Sequence, residues 1–347
     1  MAVLVTGGAG YVGSVVCEVL LDRGRKVVVV DNLHTGHRRA VDSRALFVEG
    51  DFASRAVLEQ VFGQQRIEAV VHMAAETTVE KSMTDPRVYF ANNLTNGIAL
   101  LDTMIDFGCR SIVFSSTAAI FGEPVEIPIT EGHPANPVNA YGQSKLMFEQ
   151  VLDWYHRCYG IRFVALRYFN AAGATEHAGE DHRPESHLLP ILCDAAAGGR
   201  ESVAIFGRDY PTADGTCVRD YVHVLDLAQA HVLALDHMDR HPNERYNLGA
   251  GRGVSNLELV RVVEATVGVK LNVVFESRRA GDPAVLVASS ARIAEELGWV
   301  PRHSSVEAIV ESAWAWRRRH PQGYGDAQAP GAVSRTTATV RPGDQLR

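Results

Sequence analysis

The sequence predicts an α/β fold, with a doubly wound parallel sheet that helices cover on both faces and a smaller α/β C-terminal lobe. Three observations support this prediction. Short β-branched runs alternate with helix-like stretches in the first half of the chain. A glycine-rich turn directly follows the first of these runs. After Asn170 the sequence becomes rich in Gly, Pro and His, which is typical of loops and marks a second lobe.

The elements of the large sheet can be placed from local patterns. Its predicted strands cover residues 2–5, 26–30, 45–48, 68–72, 111–115 and 162–167. A first helix is expected over residues 11–23, since Gly24 follows as a C-terminal cap. Longer helices are expected over 86–107 and 141–159, and the segment 219–250 is expected to add a helix and a strand to the first lobe.

These elements divide the chain into two predicted domains and a tail. Residues 1–170, with 219–250 returning to them, are predicted to form the large domain. Residues 171–218 and 251–320 are predicted to form the smaller lobe. Residues 321–347 are rich in Gly, Pro, Ala, Thr and Gln, and a disordered tail is predicted there.

The composition is that of an ordinary globular protein, with 347 residues, 46% of them hydrophobic and 22% charged. A formal net charge of −7 gives no indication of nucleic-acid binding. No apolar run is long enough to span a bilayer, and the first strand begins too early for a signal peptide. The five cysteines are scattered and lack a Cys-x-x-Cys pair, which favours reduced thiols in a cytoplasmic protein.

Gly7, Gly10 and Gly13 lie between a predicted strand and a predicted helix, which is the context of a dinucleotide fingerprint. Such glycines let the backbone approach a pyrophosphate, whose charge the helix N-terminus stabilises. An ordinary glycine-rich turn is the alternative, and Asp31 decides between the two. It falls at the end of the second strand, where a carboxylate accepts hydrogen bonds from the ribose hydroxyls and repels a 2′-phosphate. The large domain is therefore predicted to be of the Rossmann type and to bind NAD.

Two residues after the third strand are candidates for the adenine end of the same cofactor. Asp51 is placed to bind the adenine edge, and Phe52 lies beside it. A solvated turn remains the alternative for both residues.

Tyr141 and Lys145 are one helical turn apart, so they lie on the same face of a predicted helix. An ammonium group favours a neighbouring phenolate. The phenol, which ordinarily titrates near pH ~10, could therefore act as a base near neutrality.

Together these residues resemble the extended short-chain dehydrogenases/reductases, and among them the UDP-glucose (UDP-galactose) 4-epimerases. The resemblance extends to about residue 325. Its most specific stretches are Val5–Gly13, Asp31–Leu33, Phe114–Thr117, Tyr141–Met147, Leu166–Asn170, Asp209–Thr212, Asp214–Tyr221, Asn247–Gly249, Arg278–Asp282 and His320–Tyr324.

The resemblance implies an NAD-dependent inversion at C4 of a UDP-hexose through a transient 4-keto intermediate. Tyr141 would remove the 4-OH proton while hydride passes from C4 to the nicotinamide and later returns to the other face. Lys145 would lower the pKa of Tyr141 and hold the nicotinamide ribose. Thr117 would bridge the substrate oxygen and Tyr141, although a Thr that caps the end of a strand is the alternative.

The resemblance also assigns the residues that contact each ligand. Cofactor contacts are Gly7, Gly10, Tyr11, Val12, Gly13, Asp31, Asn32, Asp51, Phe52, Met73, Ala74, Ala75, Thr77, Asn93, Ser115, Tyr141, Lys145, Tyr168 and Phe169. Substrate contacts are Thr117, Asn170, His187, Leu188, Phe206, Arg219, Arg279 and Asp282. The two arginines would neutralise the diphosphate and Asp282 would accept from the uridine ribose, whereas bare surface arginines are the alternative.

Three positions depart from the pattern of the epimerases, and one pair of residues departs from that of the related sugar dehydratases. Thr77 stands where many epimerases carry a Lys, and His187 stands where some carry an Asn. Sugar dehydratases have an Asp-Glu pair where this chain has Ala118-Ala119, which argues against dehydration. Leu286 falls where several members specific for UDP-galactose have a bulky Tyr, so UDP-N-acetylglucosamine remains an alternative substrate. A UDP-pentose is a further alternative, and an NAD-binding sensor without catalysis is a third.

The remaining sequence features concern partners and metals. The helices 86–107 and 141–159 could form a homodimer interface, as in similar epimerases, or could be buried within a monomer. The spacing of His177, His182 and His187 fits no standard metal site, so a solvated loop without a metal is predicted. Trp314 and Trp316 are predicted to be packing residues.

Overall fold

The chain is built around a large sheet and a smaller one in a computed structural model that describes residues 1–279 and 281–325. Its strands are β1 (Ala2–Thr6), β2 (Lys26–Asp31), β3 (Leu46–Glu49), β4 (Ile67–His72), β5 (Ser111–Thr117), β6 (Arg162–Tyr168), β7 (Asn170–Ala172), β8 (Val203–Phe206), β9 (Val218–His223), β10 (Glu244–Leu248), β11 (Gly253–Ser255), β12 (Val273–Glu276) and β13 (Val285–Leu286). Its α-helices are α1 (Tyr11–Asp22), α2 (Arg55–Gln64), α3 (Val79–Thr84), α4 (Pro86–Tyr89), α5 (Asn96–Asp106), α6 (Ala140–Tyr159), α7 (Leu188–Ala196), α8 (Val224–His237), α9 (Asn256–Val267), α10 (Ala291–Leu297) and α11 (Val306–Arg319).

The large sheet has seven strands in the order β3-β2-β1-β4-β5-β6-β10, and all of its pairs are parallel. From β1, the strands β2 and β3 extend the sheet in one direction, and β4 and the later strands extend it in the other. The strand order therefore reverses between β1 and β4. Ligands of doubly wound sheets bind at this point, outside the carboxyl ends of the strands. The predicted Rossmann-type fold is therefore confirmed, and each of the six predicted strands is present with small differences at its ends.

Both faces of the large sheet are buried, because alternate side chains of each strand enter two different cores. In β1, Val3 and Val5 pack in one core together with residues of α1 and α8. Leu4 points to the opposite core, which contains residues of α2, α5 and α6. This burial on two sides explains why the sequence of β1 reads as a continuous apolar run rather than an alternating one.

The segment that returns to the large sheet begins later than predicted. The helix α8 packs on α1 and β10 pairs with β6, as expected for the range 219–250. The residues of β9, however, pair with β7, β11 and β13 of the smaller sheet. The return therefore starts at Val224 rather than at Arg219. A third apolar core joins this sheet to α7, α9 and α11.

The helix predicted over 86–107 is interrupted. Pro86 begins the short helix α4, where its missing N–H is not needed. A π-helical turn, Phe90–Thr95, then separates α4 from α5. A pattern with a period of 3.6 residues does not predict the extra residue in this turn. Such π-helical turns are frequent at functional sites.

The tail predicted over 321–347 is ordered at its start, so that prediction is wrong for residues 321–325. Tyr324 is buried, its ring stacks on His37 with centroids 4.9 Å apart, and its hydroxyl accepts a hydrogen bond from the Gly179 N–H at 3.0 Å. Trp316, which was predicted to be a packing residue, is buried against it. Residues 326–347 lie outside the described residues.

Two further sequence predictions can be compared with the structure. All five cysteines lie within the described residues and are free thiols, and four of them are buried. Among the described residues, no helix combines the length and the hydrophobicity that crossing a bilayer requires.

Candidate active site

The glycine turn between β1 and α1 has room for backbone only. Gly7 adopts φ +75°, and a Cβ on it would lie 2.6 Å from the Ala74 nitrogen. A Cβ on Gly13 would lie 2.1 Å from the Gly7 carbonyl oxygen. Gly10 precedes α1, and no side chain of the described residues caps that helix N-terminus. The turn is therefore shaped as a dinucleotide fingerprint requires, with a helix N-terminus that can face a pyrophosphate.

Asp31 lies at the carboxyl end of β2, beside this turn. One of its carboxylate oxygens accepts from the Ala9 N–H at 2.9 Å, and the other accepts from the Leu33 N–H at 2.8 Å. Burial raises the pKa of Asp31, whereas these two N–H groups lower it. Each carboxylate oxygen keeps a second acceptor site, which fits the predicted contact with ribose hydroxyls.

The two candidates for the adenine end of the cofactor, Asp51 and Phe52, differ in their exposure. The exposed Asp51 accepts from the Ala53 N–H at 2.8 Å and from the Asn32 amide at 3.2 Å, so it also caps a turn. Phe52 is buried, and its ring packs against His72 with centroids 5.1 Å apart. The ring of Phe52 is thus part of the core, and only its backbone is placed for a cofactor.

Asn93, in the π-helical turn, holds the loop that follows β4 against α6. Its side chain accepts from the Glu76 N–H at 2.8 Å and donates to the Glu76 carbonyl at 3.0 Å and to Ser144 Oγ at 3.1 Å. At the start of that loop, Met73 and Ala74 donate their N–H groups to the Thr6 carbonyl. This loop contains the predicted cofactor contacts Met73, Ala74, Ala75 and Thr77. Asn93 is therefore a residue that positions the loop.

The helix α6 has defined ends, as predicted. Asn139 caps its N-terminus by accepting from the Gly142 N–H at 2.8 Å, and Gly160 ends it in a left-handed conformation. Lys145 is buried in its second turn and donates from Nζ to the Ser115 carbonyl at 2.9 Å. Burial lowers the pKa of Lys145 to about 7, and Glu149, one turn further along, opposes this shift.

The pKa of Tyr141 is shifted in the opposite direction from the prediction. Burial raises the pKa of Tyr141, and the hydrogen bond to Thr117 lowers it. The net shift in the chain alone is upward, opposite to the predicted effect of Lys145. Thr117 Oγ1 also accepts from the Ala119 N–H at 3.1 Å. Thr117 therefore caps a turn and also contacts Tyr141, whereas its predicted contact with a substrate oxygen stays a prediction.

Sequence analysis missed His231, which is fully buried in α8. Its Nδ1 lies 2.8 Å from the Leu227 carbonyl, so Nδ1 carries the proton and Nε2 accepts from the Tyr168 hydroxyl at 2.5 Å. The Tyr168 hydroxyl also lies 2.8 Å from Ser115 Oγ. Since the Ser115 carbonyl accepts from Lys145, this chain of contacts links α8 to Lys145. A polar residue within the apolar run of α8 was the available signal.

His231→Leu is expected to leave the buried Tyr168 hydroxyl without its acceptor, at a cost of about 1–3 kcal/mol. We expect NAD retention and kcat to fall together by about tenfold or more, since ~1.4 kcal/mol corresponds to a factor of ten. His231→Gln keeps an acceptor and should restore part of both. His237→Leu is the matched control, since His237 lies in the same helix and bonds to the Leu233 carbonyl. Equal losses in the His231→Leu and His237→Leu variants would mean that His231 acts only on stability.

A single cavity of about 1330 Å³ brings together most of the predicted substrate contacts within the described residues. These are Asn170, His187, Leu188, Phe206, Arg219, Arg279 and Asp282. Tyr11 and Thr77, both predicted cofactor contacts, also line it. Tyr89 connects this cavity to Tyr141, since its hydroxyl bonds to the Thr78 carbonyl in the cavity wall and its ring contacts that of Tyr141.

The two predicted diphosphate ligands are held differently. Arg219 donates to the Val218 and Pro283 carbonyls at 2.9 and 2.8 Å, and lies 3.5 Å from a carboxylate oxygen of Asp282. The guanidinium of Arg279 stacks on the Phe206 ring, 3.9 Å from its centroid. Arg219 is thus fixed by its backbone contacts, and Arg279 and Phe206 act as one unit.

The loop before α7 brings together three side chains that the spacing of its histidines did not predict to be neighbours. Glu180, His182 and His187 offer ligand atoms that all lie within 4.8 Å of one another, whereas His177 is not part of this group. Glu180 hydrogen-bonds to His182 and raises the pKa of that imidazole to about 9. His187 bonds to Glu185 at 2.8 Å.

Comparison with known proteins agrees with this geometry. The model of the NAD dependent epimerase/dehydratase family matches residues 3–249. The UDP-glucose 4-epimerase of Lacticaseibacillus casei is 49% identical over 329 residues, which are 94% of this chain and 99% of that protein. The crystal structure of UDP-glucose 4-epimerase from Brucella ovis in complex with NAD is 43% identical, with a TM-score of 0.87, over 90% of this chain and 97% of that one. The enzyme from Bifidobacterium longum in complex with NAD+ and UDP is 36% identical, with a TM-score of 0.89, over 93% and 100%.

Proposed function

The chain belongs to the NAD dependent epimerase/dehydratase family, and from this premise we propose that it interconverts UDP-glucose and UDP-galactose by inverting C4. The observation that carries the proposal is that Tyr141 bonds to Thr117 and its ring contacts Tyr89, whose hydroxyl bonds to the wall of the cavity at Thr78. When bound, NAD would supply a hydride acceptor and donor for C4. The residues of the chain would bind, orient and move protons around it.

We assign the cofactor to the edge where β1, β2 and β4 end. The fingerprint turn would accommodate the pyrophosphate against the N-terminus of α1. The Asp31 carboxylate would accept from the adenosine ribose and disfavour a 2′-phosphate, which supports NAD over NADP. Tyr168 and Ser115 would form the floor beneath the nicotinamide.

We assign the proton step to Tyr141. Its phenolate would take the 4-OH proton as the C4 hydride leaves, and the phenol would return the proton when the hydride comes back to the other face. Thr117 would orient the substrate oxygen towards Tyr141. Because burial raises the pKa of Tyr141, the phenolate needs positive charge nearby. The Lys145 ammonium and the cationic nicotinamide ring are its sources.

Dehydration is disfavoured by the turn that follows Thr117. Ala118–Ile120 forms a short 3₁₀ helix, and Ala118 is buried. Elimination of a sugar hydroxyl requires an acid and a base, and the methyl side chains of Ala118 and Ala119 supply neither.

We assign the nucleotide sugar to the cavity formed largely by 171–218 and 251–320. Arg219 and Arg279 would bind the diphosphate, and Asp282 would accept from the uridine ribose. Asn170 and the backbone at Leu188 would contact the sugar side of the same space. In this proposal, NAD binds to the large domain and the substrate binds mainly to the smaller lobe.

The test is to incubate the purified protein with UDP-glucose, UDP-galactose and their N-acetyl counterparts without added NAD, and to separate the C4 epimers chromatographically. Interconversion without added NAD is expected, since hydride returns to the same substrate and NAD is regenerated in each cycle. No epimer from any sugar, even after NAD is supplied, would overturn the proposal and favour a UDP-pentose substrate or an NAD-binding sensor.

Leu286 is the observation that favours a second substrate class. Its half-buried side chain packs against the apolar cluster that contains Ala118 and Ile129, and its register partner in β9 is Arg219. Leu286→Tyr is expected to lower kcat/KM for UDP-N-acetylglucosamine about tenfold or more while changing that for UDP-glucose only slightly. Leu286→Met keeps the volume and serves as the control. Equal losses on both sugars, or a wild type inactive on N-acetyl sugars, would contradict this role.

We further propose that the enzyme is a cytoplasmic homodimer that uses the helices α5 and α6. Exposed aromatic residues on and next to these helices support a shared interface: Trp154 is 62% exposed, Tyr159 is 55% and Phe107 is 43%. The free thiols support a reducing compartment. Light scattering is expected to give twice the monomer mass, and Trp154→Glu should convert the dimer to a monomer.

A further inference from the structure

We propose that Glu180, His182 and His187 form a site for a divalent transition metal, typified by Zn²⁺, in the wall of the substrate cavity. The three side chains precede or begin α7, and all of them line the cavity. None of the three side chains is among those to which we assign the proton step, although His187 is also a predicted substrate contact. The metal site would add a bound cation to the region where the diphosphate is expected.

The donor atoms suit such a metal. Two imidazole nitrogens and one carboxylate oxygen are ligands that Zn²⁺ and its neighbours prefer, whereas Mg²⁺ and Ca²⁺ prefer oxygen alone. Bonds of about 2.0–2.2 Å place two ligand atoms at most ~4.4 Å apart. The three ligand atoms here already lie within 4.8 Å of one another, so binding requires only a small contraction.

The backbone that carries Glu180 is held from both sides. The Gly179 N–H donates to the Tyr324 hydroxyl at 3.0 Å, and the Tyr324 N–H donates to a carboxylate oxygen of Asp181 at 2.9 Å. His37 Nε2 lies 2.9 Å from the Asp181 carbonyl. Since Asp181 is used in these anchoring contacts, Glu180 is the carboxylate left to face the histidines. A ligand held in this way loses little conformational entropy when it binds a metal.

The second histidine already has an orienting partner. His187 Nδ1 bonds to Glu185 at 2.8 Å, which leaves Nε2 as its ligand atom. Histidines that bind metals commonly donate their other ring N–H to a carboxylate in this manner. The exposure of the three side chains increases from 8% for Glu180 to 29% for His182 and 54% for His187, so the metal can enter from the cavity.

Three protein ligands leave a fourth coordination position, as in Zn²⁺ sites that bind a water or a substrate. This position would face the cavity that Arg219 and Arg279 also line. A diphosphate oxygen is a suitable fourth ligand. Metal and UDP should therefore strengthen each other's binding, and by the same factor in each direction.

The test is a calorimetric titration of Zn²⁺ alone into tag-free, chelator-treated holoenzyme. One Zn²⁺ per chain is expected. His182→Ala and Glu180→Gln are each expected to weaken binding by about tenfold or more. His177→Ala is the matched control, since His177 is an exposed histidine of the same loop outside the cluster. The thermal unfolding temperature of each variant without metal should equal that of the wild type, which separates ligand loss from misfolding.

A second measurement tests the open position. Co²⁺ bound in place of Zn²⁺ absorbs visible light with an intensity that depends on its ligands, and UDP is expected to change that spectrum in the wild type but not in His182→Ala. Zn²⁺ binding that does not saturate, or that His182→Ala leaves unchanged, would overturn the site. The loop would then contain only the ion pairs Glu180–His182 and Glu185–His187.

Discussion

Tyr141→Phe is expected to lower kcat for C4 inversion by about 10²–10⁴-fold while NAD content stays at the wild-type level. The ring of Tyr141 contributes packing against Tyr89, which Phe keeps, and the hydroxyl contributes the proton transfer, which Phe loses. The change therefore removes an interaction needed in the transition state and little of the fold. The measurements are kcat by chromatography of the epimers and NAD content by absorbance after the protein is denatured.

The matched control is Tyr159→Phe at the end of the same helix, where the tyrosine is 55% exposed. It should leave both kcat and NAD content unchanged. Near-normal activity of Tyr141→Phe would show that another group takes the proton. Loss of NAD together with activity would show instead that the hydroxyl is needed to hold the cofactor.

The pKa of Tyr141 illustrates a limit of arguing from spacing. A separation of four residues puts two side chains on the same helix face, and the structure places Tyr141 and Lys145 in α6 as predicted. Spacing does not reveal burial, which raises the pKa of Tyr141 and lowers that of Lys145 to about 7. Nor does it reveal that the Lys145 Nζ donates to the Ser115 carbonyl. The electrostatic role of the pair therefore depends on what surrounds it.

The parts of the fold that were predicted correctly depend on local patterns. The strand β1 and the glycine turn are specified by adjacent residues, and the helix predicted over 141–159 is observed over Ala140–Tyr159. The parallel sheet was predicted from the alternation of strands and helices, whereas its strand order was not predicted.

The parts that were missed depend on contacts between distant residues. Asn93 and Ser144 meet across the site through a π-turn that no regular period predicts. Tyr324 is ordered because the loop at Gly179 and Asp181 binds it, although its neighbours in sequence resemble a disordered tail. The sequence of α8 gives His231 no partner, and its contact with Tyr168, 63 residues earlier in the chain, is known only from the fold.

Gly13→Ala is expected to weaken NAD binding by up to about a hundredfold. Its Cβ would lie 2.1 Å from the Gly7 carbonyl oxygen, a backbone atom that can retreat only if the whole turn moves. Overpacking of this kind costs up to about 3 kcal/mol, and about 1.4 kcal/mol corresponds to a factor of ten in affinity. The turn is also where the pyrophosphate is assigned, so the displacement that relieves the clash removes the backbone from its ligand. The measurement is the dissociation constant of NAD from cofactor-free protein.

The chain offers a matched control in Gly63, which lies inside α2. A Cβ added to Gly63 would have no heavy atom of the described residues within 4 Å, apart from its own helix backbone and chain neighbours. Gly63→Ala therefore makes the same chemical change without a clash. It should leave NAD affinity unaltered and raise the free energy of unfolding by about 0.5–1 kcal/mol, since alanine favours the helix. If the two variants bound NAD equally well, the pyrophosphate could not lie against the turn at Gly13. A selective loss in Gly13→Ala would support the proposed placement of the pyrophosphate at the N-terminus of α1.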